Sequence, residues 1–247
     1  HLQNLDADWS KVSSEKTKAV QKANIQEVEG YKFLPIENTA LNSYDGGEFS
    51  IYDLNISGTG ACAGMFGNFS GGAGTPKTLE NIRLVNTVLQ GSRGPAGALV
   101  GNGSDLTIDN CQVYWENRSE ETTNLREVLG DSTKGIKYQI TGSGPAGGLA
   151  GMLTNSAITN CSASSLVEST DPVGGLVGRG SALEIDASYA ASYLNGPTCA
   201  GLVGDLTGSA DLYGSYAVGF IDSGTAPAKA AGLCLGGRRR GGMWGCL

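Results

Sequence analysis

The amino-acid sequence predicts an all-β fold, a right-handed parallel β-helix (a solenoid) with an N-terminal helical cap, and three observations carry that reading. The pattern small-Gly-Leu-x-Gly occurs five times, as "AGMFG" ending at Gly67, "GALVG" at Gly101, "GGLAG" at Gly151, "GGLVG" at Gly178 and "AGLVG" at Gly204. An aliphatic anchor follows each copy, and from Ile158 to Ile185 to Leu212 the step is 27 residues each time. Behind each anchor small and apolar residues alternate, the pattern of a short strand with one buried face. A period of roughly 20 to 50 residues with short strands and glycine corners marks repeats that stack on one another around a shared core. The crossover rule sets the hand as right.

Residues 1–60 lack the repeat and are read as a cap and lead-in segment. In "HLQNLDADW", Leu2, Leu5 and Trp9 share one helical face, and the open end of a stacked core needs a cover. Residues 61–235 hold the repeats. Met65, Leu99, Leu149, Leu176 and Leu202 are expected to form one internal stack, and Leu79, Ile108, Ile158, Ile185 and Leu212 another. Two residues past the anchor stand Asn81, Asn110, Asn160, Ala187 and Gly214, mostly types that accept a left-handed conformation. The next slot holds Ile82, Cys111, Cys161, Ser188 and Ser215, all small or apolar. Glycines and β-branched residues interrupt every window, which disfavours helical repeats.

The step from Ile108 to Ile158 is 50 residues, so this copy carries 23 more than the 27-residue steps that follow it. They are read as an insertion over residues 116–141, an excursion rather than an extra turn, because "TTNLREVL" has the form of a capped short helix. A sixth copy begins at Ala231-Gly232-Leu233 and breaks off at Cys234. Residues 236–247 read as an irregular tail with Arg238, Arg239 and Arg240 solvated.

Composition agrees with a folded, glycine-cornered chain. Of 247 residues, 40% are hydrophobic, enough for a substantial core. The 39 glycines are about twice the average of ~7%, without the Gly-X-Y period of collagen. A net charge of −7 argues against a nucleic-acid partner, and no apolar run is long enough for membrane insertion. Between Ala146 and Leu235 only Arg179 and Lys229 are basic, against seven acids, so the repetitive half is acidic.

With its repeats the chain resembles the bacterial surface proteins that carry GLUG repeats, named for Gly-Leu-x-Gly and found among others beside immunoglobulin-A-specific metallopeptidases. The stretch "FLPIENTALNSYDGGEFSIYDLNISGTGACAGMFG" is similar to the segment leading into that family's first copy. The resemblance implies a bacterial protein that is secreted or held at the cell surface. It specifies architecture, and little about activity.

Candidate chemistry is sparse. The one histidine is His1 and His-Glu-x-x-His is absent, so neither a zinc peptidase nor a Ser-His-Asp triad is expected. Cys62, Cys111, Cys161, Cys199, Cys234 and Cys246 contain no Cys-x-x-Cys pair, and no metal or cofactor is expected. Cys62 and Cys199 are assigned one slot, shared with Ala96, Ala146 and Val173, several repeats apart and out of bridging range. Cys111 and Cys161 share a second slot as neighbours across the insertion, where buried free thiols are preferred to a bridge.

Parallel β-helices also host polysaccharide lyases and glycoside hydrolases. Asp109 and Asp186 face outward from equivalent positions, but Thr159 stands between them and Glu80 and Tyr213 flank them, which reads as a solvated acidic face. Tyr189, Tyr193, Tyr213 and Tyr216 cluster in the last two copies, as a sugar- or protein-stacking surface or as ordinary packing. A loop that breaks the period is free to vary. Tyr114, Trp115, Glu127 and Asp131, in and beside the insertion, are therefore the candidate binding residues. The expectation is a monomeric, non-enzymatic binding, adhesion or stalk module whose partner is a host glycan or host protein. A polysaccharide-active enzyme is the alternative.

Overall fold

A computed structural model of the chain describes residues 17–26, 30–37, 40–47, 49–115, 139–222 and 229–240, the side chains of 235–240 excepted. Every element among them is a strand, and none is a helix. The helix expected at Leu2, Leu5 and Trp9 lies outside the described residues. The described part of the lead-in carries no helical cap: Lys18–Val20, Ser43–Asp45, Ser50–Tyr52 and Asn55–Ser57 are strands of the same sheets as the repeats. There Ala19 and Tyr44 are buried between more exposed neighbours, a period of two rather than 3.6, and Ile51 and Ile56 are buried in their strands too.

The strands form three parallel sheets of 10, 11 and five strands. Each repeat visits them in turn, as in Val177–Asp186 of the first sheet, Tyr189–Asn195 of the second and Thr198–Ala200 of the third. Equivalent residues of successive repeats pair in register: Leu79 with Ile108, Ile108 with Ile158, Ile158 with Ile185, and Ile185 with Leu212. These anchors are buried, as are Met65, Leu99, Leu149, Leu176 and Leu202, so both expected stacks are present. Like residue over like residue gives each hydrogen-bonded step the same apolar neighbours.

The motif's glycines are demanded by space. A Cβ on Gly175 would overlap the Gly201 carbonyl oxygen in the next repeat and come within 2.5 Å of Ala190 Cβ on the second sheet. The same clash recurs at Gly148 against Gly175 and Ala163. A glycine row thus packs against an alanine row where the chain walls approach most closely. At the corner after each anchor, Asn81, Asn110, Asn160, Ala187 and Gly214 all have positive φ, between 46° and 56°. Asn110 Nδ2 donates to Asn81 Oδ1 at 2.8 Å, and Asn81 Nδ2 to Asp45 Oδ1 at 3.0 Å, so the amides tie successive corners together.

Two features of the sequence reading meet the coordinates differently. Cys62 does not occupy the slot of Cys199: Val173 pairs with Cys199, Ala146 with Val173 and Ala96 with Ala146, but Ala96 bridges to Ala63. The first copy is one residue shorter here, since Phe66 lies opposite Val100. Cys62 instead donates through Sγ to Asn68 Oδ1 at 3.3 Å. Across the insertion, Ile108 pairs directly with Ile158 and Val113 with Ala163, leaving no place for an extra turn. Residues 116–138 lie outside the described residues, whereas Ile140 and Thr141 belong to the strand Ile140–Gly142, paired with Val167 and Glu168. Of the expected tail, Cys234–Arg240 is a strand of the first sheet and 241–247 lie outside the described residues.

Candidate groove on the first sheet

The strands of the first sheet bend within their length. Ala150–Thr159 and Val177–Asp186 turn at Asn155 (φ 48°) and Ala182 (φ 52°), in line with Asp105 (φ 53°) between Val100–Ser104 and Leu106–Asp109. A left-handed residue inside a strand swings the backbone without ending the ladder, as a bulge does. Over these aligned bends the outer face carries a groove of about 400 Å³, lined among others by Asp105, Thr107, Asn155, Glu184, Ser209 and Asp211.

The groove's polar side chains follow from the register. Thr107, Ala157, Glu184 and Asp211 are equivalent positions on neighbouring strands, each one residue before a buried anchor and therefore facing out. Glu184 and Asp211 are direct cross-strand partners, on strands about 4.8 Å apart. Asp105 accepts a hydrogen bond from Asn155 Nδ2. Asp211 Oδ1 is buried and has no hydrogen-bond partner. Among the described side chains no Lys or Arg lines the groove, and the backbones of Arg238 and Arg240 stand opposite Ser209 and Asp211 on the next strand. Arg179 stands on the other arm of the bend, held by Asp205 at 3.0 Å and Asp171 at 3.3 Å.

The residues singled out from sequence lie elsewhere. Tyr114, half-buried, pairs opposite Val85 on the second sheet, and Trp115 beside it is 57% exposed. Glu127 and Asp131 lie outside the described residues. Asp109 and Asp186 flank Thr159 on the outer row next to the groove and do not line it. Asp109 Oδ1 accepts from Asn160 Nδ2 at 3.2 Å. Of the tyrosines, Tyr189 and Tyr216 stack with ring centroids 5.2 Å apart on the second sheet, while Tyr213 is exposed on the first, two residues along the strand from Asp211. Sequence reasoning missed Glu184 and Asp211, although both precede an aliphatic anchor by one residue, the signal that places them outward and side by side.

Reactive groups in the core are muted. The five described cysteines are buried and form no disulfide. Burial pushes the Cys199 thiol up to about 11, with the Asp222 charge adding to it. Burial also raises Cys111 well above the ordinary thiol range, helped by the neighbouring Cys161. Among the described residues no three His, Cys, Asp or Glu side chains gather in a metal-binding group.

No family model matches the chain, and no curated protein matches it. Its fold is similar to that of a solved structure from Bacteroides ovatus described as "a putative immunoglobulin A1 protease", with a TM-score of 0.57 and 17% identity. The match covers 88% of this chain and 66% of the other, so this chain spans only part of that protein. At such identity the likeness is one of fold alone.

Proposed function

We propose that the chain is a right-handed parallel β-helix of the GLUG-repeat kind from an exported bacterial protein, and that it binds an extended ligand in the groove of the first sheet without transforming it. The observation that carries this reading is the alignment of the bends at Asp105, Asn155 and Ala182, which makes one continuous groove out of equivalent positions in successive repeats. The hand follows from the crossover rule for parallel strands. Binding rather than turnover is supported by the residue types on offer: the groove is lined by carboxylates, small hydroxyls and an amide, and the chain's one histidine is His1.

One observation favours a second reading, a polysaccharide-active enzyme. Glu184 and Asp211 are cross-strand neighbours that both face out, and a pair of adjacent carboxyl groups is what glycoside hydrolysis uses. The name of the Bacteroides structure adds immunoglobulin A1 as a ligand or substrate to be tried. The two readings separate by titrating the protein with a panel of glycans and immunoglobulin A1, then assaying the same mixtures for new reducing ends and peptide fragments. Saturable binding with no product is expected. Product formation that disappears in the Glu184→Gln variant would establish the enzyme instead.

A further inference from the structure

We infer that the second sheet ends in a receptor edge for one extended peptide strand of another polypeptide, which lies along Tyr216–Asp222 and lengthens the ladder with small and aliphatic side chains turned inward. The site is separate from the groove on the first sheet. Among the described residues, the first sheet closes with Cys234–Arg240 and the third with Lys229–Ala231, each one repeat beyond the strand it pairs with. The second stops at Tyr216–Asp222, which pairs with Tyr189–Asn195 alone. The level above it is therefore open, between strands of the other two sheets.

Three features say what fits there, and the backbone is the first. Tyr216 N–H donates to the Ser188 carbonyl oxygen of the preceding repeat at 3.2 Å. Successive N–H groups of a strand point to opposite sides and the register holds to Asp222, so those of Ala217 and Ile221 face the open side. Neither has a partner among the described residues. An extended backbone supplies donors and acceptors at the matching spacing, which a lipid or a glycan does not. The second feature is a cavity of about 150 Å³ behind the edge, lined by Ser192, Leu194, Ala217 and Ile221 with Gly201 and Gly232. Leu194 is 2% exposed beneath Ile221, whereas Ile221, its inward equivalent, is 37% exposed. An inward side chain of a further strand covers Ile221 as Ile221 covers Leu194. Third, edges that must stay single carry charges or proline. Cys234–Arg240 ends in three arginines and Lys229–Ala231 begins with a lysine, but Tyr216 to Ile221 holds neither a charge nor a proline, and Val218 and Phe220 are more than half exposed.

The register also specifies the peptide. Val113, Ala163, Ala190 and Ala217 occupy one inward slot, Ser192 and Gly219 the next, and Val167, Leu194 and Ile221 the third. The occupant thus has a small residue, a second small residue and an aliphatic one at alternate positions, as the strand Tyr189–Asn195, "YAASYLN", has itself. Two copies of the folded chain meeting at this edge are held apart, because in each the flanking strands stand one level, ~4.8 Å, beyond it.

The test is fluorescence anisotropy of a labelled "YAASYLN" peptide titrated with the whole chain, beside a control peptide with aspartate at the inward positions. Saturable binding of the first and none of the control is expected. Ile221→Pro removes an N–H that the sheet does not use and should weaken binding about tenfold, the scale of one lost hydrogen bond with its packing. Its melting temperature should be unchanged, since a free edge accepts proline. Phe220→Ala alters an exposed side chain, should weaken binding severalfold, and keeps the test if Ile221→Pro unfolds. No binding of the peptide, equal binding of the control, or binding indifferent to both variants would overturn the receptor edge. Sedimentation as a dimer that Ile221→Pro splits would place a second copy there and overturn the peptide.

Discussion

The backbone N–H of Cys161 donates to the Ser188 hydroxyl, one repeat further on, at 3.0 Å. Ser188 N–H in turn donates to Ser215 Oγ at 3.1 Å, and Cys111 N–H to Cys161 Sγ at 3.4 Å. Each of these amides follows a left-handed corner residue, Asn160, Ala187 or Asn110. Each of these bonds is buried, where an unmet N–H is costly. The side chain of the next repeat satisfies it, and sulfur and hydroxyl both serve. Ser188→Ala should therefore destabilise the protein by about 1–3 kcal/mol, whereas Ser188→Cys should recover most of that loss. Urea midpoints for the two variants check the pair. Equal midpoints for Ala and Cys would mean the contact carries no weight.

Gly175→Ala should be worse than an ordinary surface change. The new methyl group meets the Gly201 carbonyl oxygen of the next repeat and Ala190 Cβ on the second sheet, and neither is the end of a flexible side chain. Overpacking of this kind costs about 1–3 kcal/mol or more. Adding Ala190→Gly removes one of the two clashes, so the double variant should recover part of the loss and not all of it. Denaturant titration of the three proteins gives the answer, and full recovery would assign the whole penalty to Ala190.

Alkaline pH should weaken the fold through its buried thiols. Cys199 ionises near 9 when unfolded and is pushed up to about 11 in the fold, first by burial and then by Asp222. A raised folded value means that its contribution is complete below about pH 9 and is lost as pH rises through about 11, because the unfolded chain releases its proton first. Cys111 acts in the same direction. Melting temperature should thus fall between pH 9 and 11, and fall less in Cys199→Val, which copies Val173 of the preceding repeat. An identical decline in both proteins would place the effect elsewhere.

The repeat slots were legible because a stacked fold copies each residue's surroundings: the two apolar stacks and the positive-φ corners could be named from spacing alone. Cys62 was misplaced because matching glycine letters conceals a backbone one residue shorter between Ala63 and Phe66 than between Ala96 and Val100. The groove was not legible for a different reason. Its shape depends on left-handed residues inside what reads as unbroken strand, and Ala182 carries no sign of that conformation in its side chain. Hence Glu184 and Asp211 looked like two more residues of a solvated acidic face.

The register makes the insertion removable by a defined cut. Val113 pairs with Ala163 and Ile140 with Val167, so Tyr114, Trp115 and Gln139 fill the places of Ser164, Ser165 and Leu166, and the 23 residues 116–138 enter between two adjacent slots. Joining Trp115 to Gln139 restores the 27-residue spacing of the neighbouring repeats. Ser165 is buried where Trp115 is exposed, so the join needs Trp115→Ser as well. That variant should fold with a melting temperature no lower than the parent, since it shortens a loop closure and removes no described strand pair. Ligand binding in the groove should persist, because the cut lies on the second sheet and the groove on the first. Loss of binding with folding intact would move the site to the insertion and its neighbours Tyr114 and Trp115, the surface that sequence spacing alone picks out.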